Sequence, residues 1–172
     1  MKEKYRKTWI HPNIEIKKSL LGGKGMFATT DIARGEKVVV WGGKYTDSKG
    51  AIQAKKAGML VIHLDDDLYS VETRGEDSSY FMNHSCDPNT WMTDAFTLET
   101  RRKVANGDEL TADYALWEGE DYASSWECKC GSPLCRHRIT GQDWKRKDLQ
   151  QRYKGHFSPL INKFIEKTNA VK

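Results

Sequence analysis

Residues 81–90 read FMNHSCDPNT. Between Asn83 and Asn89 this stretch holds two asparagines, a histidine and a cysteine, and Pro88 forbids a continuous helix. Side chains of these types can ligate a metal, hold a cofactor or hydrogen-bond the local backbone. One reading is a polar turn that satisfies its own N–H and C=O groups; the other is a site. A second concentration lies at CKCGSPLC, where Cys128, Cys130 and Cys135 stand in a Cys-x-Cys-x4-Cys array. Thiolates this close can converge on one ion, and zinc takes four such ligands in a tetrahedron. Three thiolates leave one vertex open. Cys86, in the first stretch, is the remaining cysteine, and His137 is the competing fourth ligand. The plain alternative is a set of reduced thiols without metal.

The elements around these residues read mostly as strands and turns. IEIKKSLLGGKGMFATTDIARGEKVVVW contains two β-rich runs split by glycine-rich turns, and VVVW suits a buried strand. DSKGAIQAKKA, residues 47–57, is expected to be a short helix. MLVIHL and LYSVET read as strands about the turn DDD, DAFTLETRRKV alternates as a strand does, and ELTADYAL is a further strand-like stretch. After the cysteines the spacing becomes helical. DWKRKDLQQRYKG and SPLINKFIEKT are expected to be helices, with Asp143 and Ser158 as N-caps.

Composition bounds the function. The chain has 172 residues, 38% of them hydrophobic and 30% charged, which suits one compact domain with a modest second piece. No run approaches the ~20 apolar residues of a membrane helix, and MKEKYRKTWI lacks the apolar centre of a signal peptide. The expected compartment is the cytoplasm, or the nucleus in a eukaryote, with no membrane partner. A disulfide framework does not fit a reducing compartment. The net charge of +4 conceals an uneven pattern. From Leu64 to Asp121 there are 15 Asp or Glu against 4 Lys or Arg, a formal balance of −11, between basic flanks. An acidic middle argues against direct nucleic-acid binding there and suits a basic partner.

Four blocks in order, GGKGMFATTDIARGE, SYFMNHSCDPN, VANGDELTADY and CKCGSPLC, resemble the SET-domain protein lysine methyltransferases that carry a post-SET zinc segment. The resemblance covers roughly residues 12–141. It implies a mainly β fold of small twisted sheets with a threaded C-terminal segment, a zinc knuckle and C-terminal helices. The implied division is a SET domain over 12–118, a post-SET segment over 122–141 and a helical tail over 142–172.

The resemblance also implies S-adenosylmethionine as methyl donor, lying against the turn Gly23, Lys24, Gly25, Met26 and against Asn83 and His84. A lone Gly-x-Gly is otherwise an ordinary hairpin turn, and a lone histidine is usually a packing residue. Tyr114 matches the family's catalytic tyrosine, which orients the lysine amine and the methyl group. Cys86, Cys128, Cys130 and Cys135 match the zinc ligands. One turn would then serve two sites, with Asn83 and His84 facing the donor and Cys86 the metal. The substrate lysine must lose its proton, since its free pKa is near ~10.4, and an apolar channel beside a sulfonium lowers it. Trp41, Tyr80, Phe81, Ala112 and Trp117 are the channel candidates, with Tyr45 and Tyr69 as further aromatic supply and core packing as the alternative for each.

Three positions depart from the family pattern. Val40-Trp41-Gly42-Gly43-Lys44 stands where Glu-Tyr-x-Gly-Glu is common, so Trp41 replaces a channel tyrosine. Tyr80 replaces a usual arginine. Ala112 replaces a Phe or Tyr that limits methyl number, which leaves room for di- or trimethylation. No cysteine-rich segment precedes the domain in this sequence, so a minimal free-standing version is expected. The partner expected is a basic, lysine-containing protein. Two other classes compete: a catalytically silent SET-like protein-binding module, and a zinc-stabilised nucleic-acid binder using KRKDLQQRYK.

Overall fold

The computed structural model describes residues 5–73, 78–119 and 122–170. Three four-stranded sheets carry the fold. The sheet beneath the candidate site begins with a hairpin, β3 (Ile14–Lys18) and β4 (Lys24–Ala28), paired from Ile14↔Ala28 to Lys18↔Lys24. Gly23 closes its turn at φ 52°, a left-handed conformation that glycine adopts without a Cβ penalty. β12 (Glu109–Ala112) then pairs antiparallel with β4, and β9 (Asn83–His84) lies parallel to β12, with Thr111↔Asn83 and Ala112↔His84 in register. This one sheet therefore sets the glycine turn, the Asn-His pair and the start of the Asp-Tyr turn side by side.

A second sheet has the order β10 (Thr90–Met92), β11 (Thr97–Thr100), β5 (Lys37–Val40), β2 (Trp9–Ile10). Its β5 is central, which is why Val38, Val39 and Val40 form a continuous apolar run. The third sheet is β1 (Tyr5–Arg6), β6 (Gly43–Thr46), β8 (Leu68–Glu72) and β7 (Leu60–Asp65). The expected hairpin about residues 65–67 joins its last two strands. Between them in sequence and β6 sits α1 (Ser48–Lys56), capped by Asp47, whose carboxylate accepts from the Gly50 N–H at 2.9 Å.

Two expectations differ in detail. ELTADYAL is a strand only to Ala112. Asp113 accepts from the Ala115 N–H at 3.0 Å and so turns Tyr114–Leu116 into a 3-10 turn. DWKRKDLQQRYKG is not one helix. Residues Asp143–Lys145 are a 3-10 turn, α2 is only Lys147–Arg152, and no side chain caps α2. Asp143 is turned inward to Arg136 instead of capping. Ser158 does cap α3 (Pro159–Ala170), accepting from the Ile161 N–H at 3.2 Å, with Pro159 in the first turn where its missing N–H costs nothing.

The main core joins all of this, from Met26, Val39, Leu98 and Leu110 in the sheets to Trp144, Tyr153 and Ile161 in the tail. No helix among the described residues is long and apolar enough to cross a membrane.

Candidate functional site

The glycine turn and the Asn-His pair meet directly. Asn83 Nδ2 donates to the Lys24 carbonyl at 2.9 Å and to Glu109 Oε1 at 2.6 Å. Glu109 also accepts from Ser19 Oγ at 2.8 Å, tying the two ends of the turn to β12. Gly25 is buried at this junction, and a Cβ there would fall on the Glu109 carboxylate and 3.0 Å from Asn83 Nδ2. The glycine is thus required by close approach of three elements. Met26 is fully buried in the core beneath.

His84 faces the other way. Its Nδ1 lies 3.2 Å from the Tyr114 N–H and accepts from it, so the ring proton sits on Nε2, 3.3 Å from Cys86 Sγ. Burial lowers its pKa to about 4 despite the opposing pull of Asp113, which holds the ring neutral near pH 7. A neutral, doubly hydrogen-bonded imidazole is an orienting group, not a free base. Tyr114 is placed by both ends. Its N–H is held by His84 and its hydroxyl donates to the Met82 carbonyl at 2.9 Å. Burial raises its pKa far above the ordinary value, so the hydroxyl stays protonated. The second asparagine, Asn89, is structural. It donates to the Glu109 carbonyl at 2.8 Å and accepts from the Thr111 N–H at 2.9 Å.

Around Tyr114 the rings converge. Trp117 lies 5.5 Å away, and Trp41 meets Trp117 edge-on at 4.9 Å. Tyr122 and Trp126 approach Tyr114 at 6.2 and 6.3 Å. Trp41, Trp117 and Ala112 are buried, whereas Tyr80 is 42% exposed and packs edge-on against Phe81. Tyr45 instead packs on Phe96, and Tyr69 stacks on His63 in the β7–β8 hairpin. Trp126, Tyr122, Glu109 and Glu118 were not singled out by the sequence reading. The signal for the aromatic pair was available: Trp117, Tyr122 and Trp126 fall within ten residues before the cysteines. Glu118 is half-buried, and burial raises its carboxyl to about 7.

The four cysteines come together. Their sulfurs all lie within 4.8 Å of one another, and Cys86 Sγ is 3.9 Å from Cys128 Sγ, far outside the ~2.05 Å of a disulfide. His137 is not among them. It turns to solvent, at φ 61°, with Nδ1 3.5 Å from Glu127. The donor set fits a thiophilic divalent cation. Burial drives the thiols of Cys86, to about 11, and of Cys128 toward the neutral form, an arrangement that a cation would invert. N–H donors already point at the sulfurs, from Arg136 to Cys86 at 3.2 Å and from His137 to Cys135 at 3.4 Å.

Four of the eleven described acids of the 64–121 run are held in ion pairs. Asp65 and Asp66 pair with Lys163, Asp87 with Arg101 and Arg102, and Asp113 with Arg136. Glu76, Asp77, Glu120 and Asp121 lie outside the described residues.

Several known proteins are similar to this chain in sequence. Histone-lysine N-methyltransferase trithorax of Drosophila virilis is 30% identical over 158 residues, covering 79% of this chain and 4% of the relative. Histone-lysine N-methyltransferase 2B of Homo sapiens is 26% identical over 156 residues, covering 79% of this chain and 6% of the relative. Putative histone-lysine N-methyltransferase ASHH4 of Arabidopsis thaliana is 27% identical over 142 residues, 73% of this chain and 39% of the relative. The chain thus spans well under half the length of these relatives. The SET domain family matches residues 23–115, from the glycine turn to the residue after Tyr114, and with more than half of its length inside that match this chain belongs to the SET domain family.

Proposed function

We propose that this chain transfers methyl groups from S-adenosylmethionine to lysine side chains of a basic protein. The observation that carries the reading is the single junction where Asn83 bonds the Gly23–Met26 turn while His84 bonds Tyr114. S-adenosylmethionine supplies an electrophilic methyl carbon on a sulfonium. The backbone of the Gly23–Met26 turn and the Asn83 side chain are the groups that would hold it, with His84 fixing their spacing to Tyr114. The half-exposed ring of Trp126, 6.0 Å from His84, offers an apolar shelf beside them.

The amine arrives through the rings of Trp41, Trp117 and Tyr114, where water is excluded and a neutral amine is favoured over ammonium. The neutral lysine nitrogen held among these rings would offer its lone pair to that methyl carbon, with the sulfonium sulfur keeping the S–C electron pair as it leaves and the surplus proton passing to solvent. Tyr114 stays neutral throughout. Its oxygen lone pairs, and its fixed position, orient the nucleophile and crowd the methyl group into line, a positional contribution. The small Ala112 side chain, where a larger ring would crowd the amine, would favour more than one transfer.

Cys86, Cys128, Cys130 and Cys135 would hold one zinc, which supplies ordering of the 122–141 segment rather than chemistry on the substrate. The names of the relatives favour a histone-like, lysine-rich protein as substrate. The test is transfer of labelled methyl from S-adenosylmethionine to a lysine-rich protein, with Tyr114→Phe as control. Label on lysine that falls sharply in the variant supports the reading. A folded, zinc-loaded protein that binds the donor and labels nothing supports a silent binding module instead.

A further inference from the structure

One buried cluster is used by none of the roles above. Arg136 follows Cys135 directly, and its side chain is only 5% exposed. Its Nη1 and Nη2 donate to the two oxygens of Asp113 at 2.7 and 2.6 Å, and its Nε donates to Asp143 at 2.8 Å. Asp113 is fully buried and collects every donor in reach: both Arg136 nitrogens, the Tyr153 hydroxyl at 3.1 Å and the Ala115 N–H at 3.0 Å. Asp143 is completed by Thr140 Oγ1 at 3.0 Å. The backbone N–H of the same Arg136 donates to Cys86 Sγ, so one residue touches the cysteine cluster with its main chain and the Tyr114 turn with its side chain.

A fork-shaped bidentate pair fixes direction as well as distance, which a lysine or a single hydrogen bond does not. Buried pairs of this kind contribute little net stability compared with apolar replacements of similar volume. Its placement is better explained by what it orients. Asp113 caps the turn Tyr114–Leu116, so the carboxylate that Arg136 grips sets the pitch of the backbone from which Tyr114 projects.

We propose that Arg136 is a positioning residue for Tyr114: through Asp113 it makes the cysteine knuckle, and through Tyr153 the helical tail, part of the device that aims the tyrosine. This rests on the methyl-transfer reading for its kinetic arm. In that arrangement the knuckle does more than cover the site. Loss of order in residues 128–136 releases Arg136, leaves Asp113 without its counter-ion and frees the turn that holds Tyr114.

The test uses the full zinc-loaded chain and the variants Arg136→Lys, Tyr153→Phe and the double variant Asp113→Asn/Arg136→Met, which removes the bidentate pair and leaves Asp143 to Thr140. Zinc per chain and Tm are measured first, then kcat and KM with labelled S-adenosylmethionine and a lysine-rich peptide, then amide exchange over residues 114–117. Arg136→Lys is expected to keep zinc and to lose about tenfold or more in kcat with KM changed by less than about twofold, the pattern of a misplaced group. Amides 114–117 should exchange faster. The double variant should lose kcat as Arg136→Lys does, since the fork that sets direction is gone. Unchanged kcat and unchanged exchange in folded, zinc-loaded Arg136→Lys would overturn the proposal and leave the pair as packing for the knuckle. If Arg136→Lys does not fold, Tyr153→Phe and the double variant are judged by the same two measurements. If wild type transfers no label, the methyl-transfer reading fails, and the exchange arm alone decides whether Arg136 fixes the turn.

Discussion

The glycine-turn side of the site and the cysteine side are built by different forces. On the first, β3, β4, β12 and β9 hydrogen-bond strand to strand, and Met26, Ala28, Leu110 and Ala112 anchor them in the main core. On the second, regular pairing is reduced to the bridge Ala123↔Thr140, and the local apolar cluster has only Cys86, Cys128 and Ile139 fully inside it. Beside a few backbone bonds, such as Cys128 N–H to the His137 carbonyl at 2.6 Å and Gly141 N–H to the Tyr122 carbonyl at 2.7 Å, what holds that segment is side-chain chemistry: sulfurs facing one another, Arg136 gripping Asp113 and Asp143, and Ser124 bonding Ile139 and Trp126. A region secured by a core tolerates the loss of one contact. A region secured by a few specific groups does not, and its order is open to control by a metal. Tyr114 stands where the two regions meet.

The largest effect expected is from Tyr114→Phe. The ring stays in its aromatic nest, the bond to the Met82 carbonyl is lost, and the oxygen that orients the amine is gone. The expected loss in kcat is roughly 10²-fold or more, with the donor affinity and the circular dichroism spectrum unchanged, as stopped label transfer and calorimetry would measure. A variant that keeps full kcat would place the chemistry elsewhere.

Next is Asn83→Ala, which strikes the sheet-built side. It takes one donor from the Lys24 carbonyl and one from Glu109 Oε1, and removes the candidate donor-binding amide. The expected change is a weakening of S-adenosylmethionine binding by about 1–3 kcal/mol, read by calorimetry, with zinc content intact. An unchanged Kd would remove Asn83 from the donor site and leave it as a strut for the glycine turn.

The smallest effect is a pH dependence at the border between the regions. The Glu118 carboxyl is raised to about 7 by burial, above the ordinary 4.5. Between these values the folded state keeps a proton that the unfolded state has lost. Stability is therefore greatest below pH 4.5 and falls as pH rises toward 7, then levels. Comparing Tm against pH for wild type and Glu118→Gln, the wild-type curve should decline relative to the variant across that window. Parallel curves would mean that Glu118 is ordinarily hydrated.

How much of this was legible follows the same division. The glycine turn, the Asn-His pair, the Asp-Tyr turn and the cysteine array were readable because each is a local backbone or ligand requirement written in adjacent residue types. Gly25 cannot be another residue beside Asn83 and Glu109, and the sequence says so with a glycine. The strand-to-turn change at Asp113 was misread, because a β-like run gives no sign that its aspartate will cap and accept from Arg136. Asp143 looked like an N-cap for the same reason: its partner lies upstream and across the fold. Glu109 and Arg136 carried no spacing signal, since ionic partners distant in sequence have no period. Trp126 was visible as an aromatic ahead of the cysteines but not as a neighbour of His84 and Tyr114.

The most direct test of the account is label transfer before and after stripping and restoring metal. This chain with one zinc bound should methylate a lysine-rich protein from S-adenosylmethionine. Removal of zinc by chelator should abolish transfer and raise amide exchange over residues 122–141 and 113–117, while exchange in β3, β4 and β12 stays slow, and added zinc should restore all three. Stripped protein that still transfers methyl groups at the original rate, or that opens β3, β4 and β12 along with the knuckle, would contradict it.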